Sequence, residues 1–304
     1  MTNVLTIENL SVSFPSAAGE QKAVRGVSLT LAAGEVLALV GESGCGKSVL
    51  CKSIMKLLPE AARIRSGRIL AGGLDITNYS SKQMEALRGR YFSMVFQDPL
   101  GALDPSFAVG AQIAEAVRVH APHMKRSEAR RRALELMEQV GIDRAEERYA
   151  LVPHELSGGM RQRCVIAIAI AQRPRVIFAD EPTTALDVTV QAQIMDLFAR
   201  LREETGTAIV LVSHDMGVVA GLADRVAVMC AGEIVESGTA EEIYYAPRHR
   251  YTRELMQALP KLGRRPAASS GPQTEGGPAA CDAGLQTEAR PAACAAAEGG
   301  TRHE

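Results

Sequence analysis

Gly41-Glu42-Ser43-Gly44-Cys45-Gly46-Lys47-Ser48 fits the spacing Gly-x-x-x-x-Gly-Lys-Ser, in which glycines let backbone N–H groups turn inward on a phosphate. At these positions Lys47 reaches the β- and γ-phosphates and the Ser48 hydroxyl is placed on Mg²⁺. A second group of residues suits the same chemistry. Val176-Ile177-Phe178-Ala179-Asp180-Glu181 is an apolar run ending in two carboxylates. Asp180 would hold Mg²⁺, directly or through water, and Glu181 would orient or deprotonate an attacking water. A third is Leu156-Ser157-Gly158-Gly159-Met160-Arg161-Gln162-Arg163. Here Ser157 caps a helix running to Ala171, and Gly158 and Gly159, costly to helix stability, imply that something approaches the backbone.

These residues need a parallel sheet to position them. Val36-Leu37-Ala38-Leu39-Val40 before the phosphate loop reads as a buried parallel strand, and Val49 to Leu58 after it as a helix stopped by Pro59. The helix start adds unpaired N–H donors and partial positive charge. Strand patterns precede this at Leu5 to Leu10 and Ala23 to Leu31, and follow it at Ser66 to Leu70 and Phe92 to Phe96. From about Gly101 to Leu151 the periodicity turns helical, with Ala129, Ala133, Leu134, Met137 and Val140 on one face of a helix over 125–140 and Arg130, Arg131 and Arg132 solvated opposite. Buried strands at 176–180 and 208–212 flank a helix at 190–204, and 225–229 with 232–235 forms a terminal hairpin. Alternating strands and helices with a helical insert predict an α/β fold.

Bulk properties narrow the class. The 304 residues are 46 % hydrophobic and 23 % charged, with net charge −1, which provides a sizeable core and no global field for nucleic acid or an anionic membrane. The six cysteines form no Cys-x-x-Cys pair, as expected of free thiols in a reducing compartment. Cys45 stands at a helix start inside the loop, a setting that makes thiols reactive. No apolar run approaches the ~20 residues that span a bilayer. Residues 260–304 carry only Leu262 and Leu285 as large apolar side chains, so a disordered tail is expected. It holds an imperfect repeat, Gln273 to Cys281 recurring as Gln286 to Cys294.

Taken in order, the phosphate loop at 41–48, Gln97, the segment 156–160, Asp180-Glu181 and His214 resemble the ATP-binding cassette (ABC) proteins over residues 1–259. The resemblance implies a P-loop NTPase core with a mainly parallel sheet, an N-terminal antiparallel β subdomain, and a helical subdomain at about 101–171 carrying the signature. It implies ATP and Mg²⁺ as cofactors. ATP would lie against Phe14 (stacked on adenine), Gly41, Glu42, Ser43, Gly44, Cys45, Gly46, Lys47, Ser48 and Val49, and against Ser157, Gly158, Gly159 and Asp187 across a subunit interface. Catalysis would involve Glu181, His214 at the γ-phosphate, Lys47 and Gln97, with Ser48, Gln97 and Asp180 at the metal. Ala185-Leu186-Asp187 would meet an opposing ATPase subunit, identical or paralogous, in a head-to-tail pair. The implied assembly adds two transmembrane permease subunits, contacted at Asp98 to Pro105, and an extracytoplasmic substrate-binding protein, with this chain on the cytoplasmic face of the membrane.

Met160 stands where the family usually has Gln. With Phe96 to Leu100, Glu181 to Asp187 and Ala246 to Thr252, the signature resembles importer subunits for dipeptides, oligopeptides or nickel, although His249-Arg250-Tyr251 replaces the usual His-Pro-Tyr. The tail lacks the Cys-rich segment of many peptide-type members, so no iron–sulfur cluster is expected and the nickel-type members are slightly favoured. Dipeptide, oligopeptide, nickel and nickel-chelate uptake all stay open on sequence. A non-transport ABC ATPase working mechanically on nucleic acid or ribosomes is the second reading. A single phosphate loop, no sustained heptads and near-zero net charge argue against it.

Overall fold

A computed structural model describes residues 2–16, 19–184 and 186–257. The expected tail with its repeat, Cys281 and Cys294, as well as Ala185, lies outside the described residues. Strands β1 (Asn3–Ser16) and β2 (Gly19–Ala32) open the chain, followed by β3 (Val36–Val40), α1 (Lys47–Ile54), β4 (Arg63–Ala71), β5 (Leu74–Asp75), α2 (Ser81–Glu85) and β6 (Phe92–Val95). A helical stretch comes next: α3 (Pro99–Ala102), α4 (Val109–Arg118), α5 (Arg126–Gln139), α6 (Ala145–Arg148) and α7 (Gly158–Ile170). The chain returns to α/β alternation with β7 (Val176–Asp180), α8 (Val188–Thr205), β8 (Ala208–Ser213), α9 (Met216–Ala220), β9 (Arg225–Cys230), β10 (Glu233–Thr239), α10 (Ala240–Tyr245) and α11 (Arg250–Gln257).

Two sheets result. The first is antiparallel in the order β2-β1-β4-β5. The second has the order β10-β9-β3-β8-β7-β6, parallel except for the β10 edge. Successive side chains of a strand point to opposite faces, and β3 sorts accordingly. Val36, Ala38 and Val40 join a core with the helices α4, α5, α7 and α8, while Leu37 and Leu39 join a core with α1 and the antiparallel sheet. With both faces covered, β3, β7 and β8 are buried along their whole length, which is why they read as continuous apolar runs. Among the described residues no helix is long and apolar enough to cross a membrane.

Two sequence expectations shift. The helix after the phosphate loop ends at Ile54, well before Pro59. Lys56 turns left-handed (φ 54°) and the Arg88 guanidinium takes the Met55 and Lys56 carbonyls at 3.1 Å, so a tertiary contact closes the helix. The 225–235 hairpin is not terminal, since α10 and α11 follow it. Thr239 accepts from Glu242 N–H in a capping box, a Thr-x-x-Glu signal that was present in the sequence.

One close approach in the helical stretch leaves no room for a side chain. Gly110 in α4 lies under Tyr149, where an added Cβ would sit 2.2 Å from the ring, and Arg130 covers the ring's plane at 4.9 Å. Helix propensity alone favours Gly110→Ala by about 1 kcal/mol, but overpacking costs about 1–3 kcal/mol, and at 2.2 Å the upper end applies. Gly110→Ala should therefore lower the melting temperature by about 2–8 °C; a rise in a thermal scan would show that the ring moves aside freely.

Candidate functional site

Because β3, β8, β7 and β6 are adjacent and parallel, their C-terminal ends share one edge, the usual ligand edge of such sheets. Leaving that edge, in spatial order, are the phosphate loop, His214, Asp180-Glu181 and Gln97. Residues separated by more than a hundred positions meet there for that reason.

The loop is clamped between β9 and β2. A Cβ on Gly41 (φ 151°) would lie 2.1 Å from the Met229 carbonyl oxygen, and one on Gly46 (φ 110°) 2.3 Å from that of Ala23, so only glycine fits at either end. Inside the loop Lys47 is 4 % exposed, and its Nζ donates to the Gly41 and Glu42 carbonyls, each at 2.8 Å. Cys45 is also buried, its Sγ 3.8 Å from Lys47 Nζ. A cleft of about 300 Å³ opens above the loop, walled by Phe14, Gly44, Lys47, Val49, Gln97 and Glu181. Phe14 is half-buried and opposite Gln21 in the β1–β2 ladder.

Strand alternation separates the two acids. Asp180 shares a face with Val176 and Phe178, on the α1 side. There Oδ1 accepts from the Ser48 hydroxyl at 2.7 Å. Burial raises the Asp180 carboxyl above the ordinary range, opposed by the Ser48 bond and the Lys52 and Lys47 charges. A hollow of about 470 Å³ lined by Ser48, Gln97, Asp98 and Asp180 adjoins them. Hard oxygen donors around a buried carboxylate whose desolvation outweighs the charges near it fit Mg²⁺; Ser48, Asp180 and Gln97 would hold it, and the ion would neutralise phosphate charge.

Glu181 leaves the strand in a left-handed conformation (φ 47°), anchored by its N–H to the Val212 carbonyl at 3.0 Å. Its Oε2 accepts from Gln97 Nε2 and from Thr184 Oγ1, each at 2.9 Å, and lies 3.4 Å from His214 Nδ1. Sequence reasoning picked Gln97, Glu181 and His214 but missed Thr184. Nothing in Pro182-Thr183-Thr184 marks which hydroxyl faces the Glu181 carboxylate. The turn from Glu181 O to Thr184 N–H decides it.

The signature stands apart from this cluster. Ser157 caps α7, its Oγ accepting from Met160 N–H at 3.3 Å, and is exposed. Gly159's missing side chain is explained within the chain, since a Cβ would lie 2.7 Å from Val190 Cγ1; Gly158 has only an ordinary 3.5 Å contact with Leu186. Asp187 caps α8 through Val190 N–H at 2.9 Å, with Val188 beside it 81 % exposed. None of Ser157, Gly158, Gly159 and Asp187 walls the phosphate cleft.

The sequence pattern of the family described as ABC transporter matches residues 24–184, over half of the chain. This chain belongs to the ABC transporter family. The ABC ATPase is 51 % identical over 259 residues to the dipeptide transport ATP-binding protein DppD of Lactococcus lactis subsp. cremoris, covering 85 % of this chain and 74 % of that protein. It is 50 % identical over 263 residues to the oligopeptide transport ATP-binding protein OppD of Bacillus subtilis, covering 86 % and 73 %. Among solved structures, a dimeric ATP-binding cassette in a post-hydrolysis state bound to ADP and Pi matches with TM-score 0.70 at 27 % identity, over 78 % of this chain and 98 % of that one. The cassette cbiO1 of Clostridium perfringens, part of an ABC transporter complex, matches with TM-score 0.69 at 29 % identity, over 81 % and 92 %. The chain is an ATP-hydrolysing subunit of this family, on the α/β P-loop NTPase fold.

For the ABC ATPase, Thr184 helps hold the Glu181 carboxylate without lining the phosphate cleft. Thr184→Val should slow ATP hydrolysis about 3- to 10-fold, the effect of one hydrogen bond, and leave nucleotide affinity unchanged in a fluorescent-nucleotide titration. Equal hydrolysis rates would show that Gln97 alone suffices.

Proposed function

We propose that this chain powers peptide uptake, binding MgATP between its phosphate loop and the signature of a facing ATPase subunit. The convergence of Gln97, Thr184 and His214 on one oxygen of Glu181, at the rim of the phosphate cleft, carries the reading. With those contacts made by Oε2, the second oxygen accepts the proton of a water aimed at the γ-phosphate. Lys47, already desolvated, exchanges part of its carbonyl contacts for the β- and γ-phosphates. Phe14 offers its ring to the adenine.

The separation of Ser157–Gly159 from the cleft supports a two-chain site, as does the likeness to a dimeric cassette. Exposed Ser157, Asp187 and Val188 then belong to the face that meets the partner, which closes on ATP and opens after hydrolysis. The second ATPase is a copy of this chain or a paralogue. Relatives named for dipeptides and oligopeptides support peptides, rather than the nickel slightly favoured by the sequence, and transport, rather than mechanical work on nucleic acid. Transmembrane permeases and an extracytoplasmic binding protein complete the complex, placing this subunit at the cytoplasmic face.

Permease contact is assigned to the segment from Asp98 to Pro105. Asp98 caps α3 by accepting from Leu100 N–H at 2.9 Å, and Leu100 and Phe107 are 49 % and 60 % exposed. Beside them a hollow of about 1250 Å³ includes Asp104, Phe107, Val119 and His120 in its lining. Gln97 at the root of this segment joins it directly to Glu181.

Glu181→Gln should abolish hydrolysis, since loss of a general base costs about 10²–10⁴-fold, and convert the purified chain to a stable dimer at saturating MgATP. Undiminished turnover would remove Glu181 from the mechanism; a monomer that still binds ATP would call for a paralogous partner. Leu100→Ser with Asp104→Ala should lower uptake in reconstituted complexes while nucleotide binding stays intact. Uptake equal to wild type would displace the permease contact from this surface.

A further inference from the structure

The last described helix, α11, reaches the phosphate loop through one side chain. Glu42 N–H donates to the Tyr251 hydroxyl at 3.0 Å, a contact spanning 209 residues of chain. That N–H belongs to the same peptide unit as the Gly41 carbonyl, which accepts from Lys47 Nζ at 2.8 Å. In a trans peptide the N–H and C=O point in opposite directions, so a bond on one side fixes the aim of the other. The unit needs such a hold, because Gly41 has no side chain to pack and its φ of 151° lies where only glycine is at ease.

Tyr251 is itself tethered. Glu236 on β10 accepts from Arg248 N–H at 2.7 Å and from His249 N–H at 3.0 Å, one carboxylate oxygen each. His249 Nδ1 then accepts from Tyr251 N–H at 3.2 Å, which sets the start of α11. The chain from β10 to the loop is thus a continuous series of hydrogen bonds. Burial also raises the Tyr251 phenol above its ordinary range, with the Glu42 N–H bond opposing, so the hydroxyl keeps its proton near neutrality.

We infer that Tyr251 is a positioning residue for the nucleotide site, holding the Gly41–Glu42 peptide so that its carbonyl keeps Lys47 Nζ aimed at the phosphates. The inference rests on the assignment of Lys47 as the phosphate ligand. It gives a role to Tyr251 within the Ala246 to Thr252 segment.

The test uses the full chain and a fluorescent ATP analogue, displaced by ATP, ADP or AMP. Lys47→Ala should weaken ATP and ADP by more than about 100-fold, as the loss of a charged ligand to two phosphates requires. Tyr251→Phe should weaken ATP and ADP about 3- to 10-fold, the equivalent of one hydrogen bond, leave AMP unchanged, and lower the nucleotide-free melting temperature by no more than about 6 °C, the cost of that one bond. A structural role alone would instead weaken all three nucleotides together or lower the melting temperature by more than that one bond accounts for, and either result overturns the inference. So does wild-type affinity for ATP in Tyr251→Phe while Lys47→Ala fails to bind. Wild-type affinity in Lys47→Ala would overturn the reading of the loop itself, and this inference with it.

Discussion

A lysine ammonium held almost out of water is the constraint from which the rest of this site follows. Lys47 is 4 % exposed and its Nζ is met by two backbone carbonyls. Removing an ammonium from water costs several kcal/mol unless donors and charge are matched. Carbonyl dipoles match two of its three donors and leave the charge for an incoming anion. To bring both carbonyls around one Nζ the backbone must curl, and Gly41 and Gly46 can do so only because they lack a Cβ against Met229 and Ala23. The neighbouring strands β9 and β2 therefore act as walls of the loop as much as parts of their sheets.

The two acids at the end of β7 show how backbone geometry divides labour between adjacent residues. Asp180 is still within the strand, and alternation turns it inward to Ser48, where burial disfavours its charge and a metal ion would restore it. Glu181 adopts φ 47°, a conformation that costs a non-glycine residue roughly 1–2 kcal/mol. The bond from its N–H to Val212 O and the ring of donors on Oε2 offset that strain. Glu181 is consequently held at the cleft's rim beside Gln97, which also borders the metal-side hollow and leads into α3. Chemistry at the γ-phosphate and movement toward a permease would share that one side chain.

Composition, run length and motif spacing were enough to locate β3, β7 and β8, because strands covered on both faces must be apolar throughout. They also located α7 with its Ser157 cap, and placed residues 41–48 between a strand and a helix and Asp180-Glu181 at a strand's end, since each rests on residue types that local chemistry demands. The helix after the loop was legible as to type but not as to end. Pro59 is a local stop, yet Arg88, thirty residues on, closes the helix first. The glycines of the signature point to a close approach, but only packing identifies Val190 as what approaches Gly159.

Membership of the family was thus legible in the sequence alone, as were the residue types on which the proposed nucleotide site rests, through short-range requirements such as glycine at positive φ, a lysine beside it, and carboxylates at a strand's end. What only the tertiary structure decided is everything that depends on neighbours distant in the chain: that Thr184, not Thr183, holds Glu181; that Tyr251 from the last described helix bonds to the loop of residue 42; and that Ser157 does not wall the cleft of its own chain. No periodicity encodes these contacts, because they arise where parallel strands end together and where α11 is brought to the loop that precedes α1. Hydrogen-bond partners there are chosen by distance in space, which residue spacing does not record.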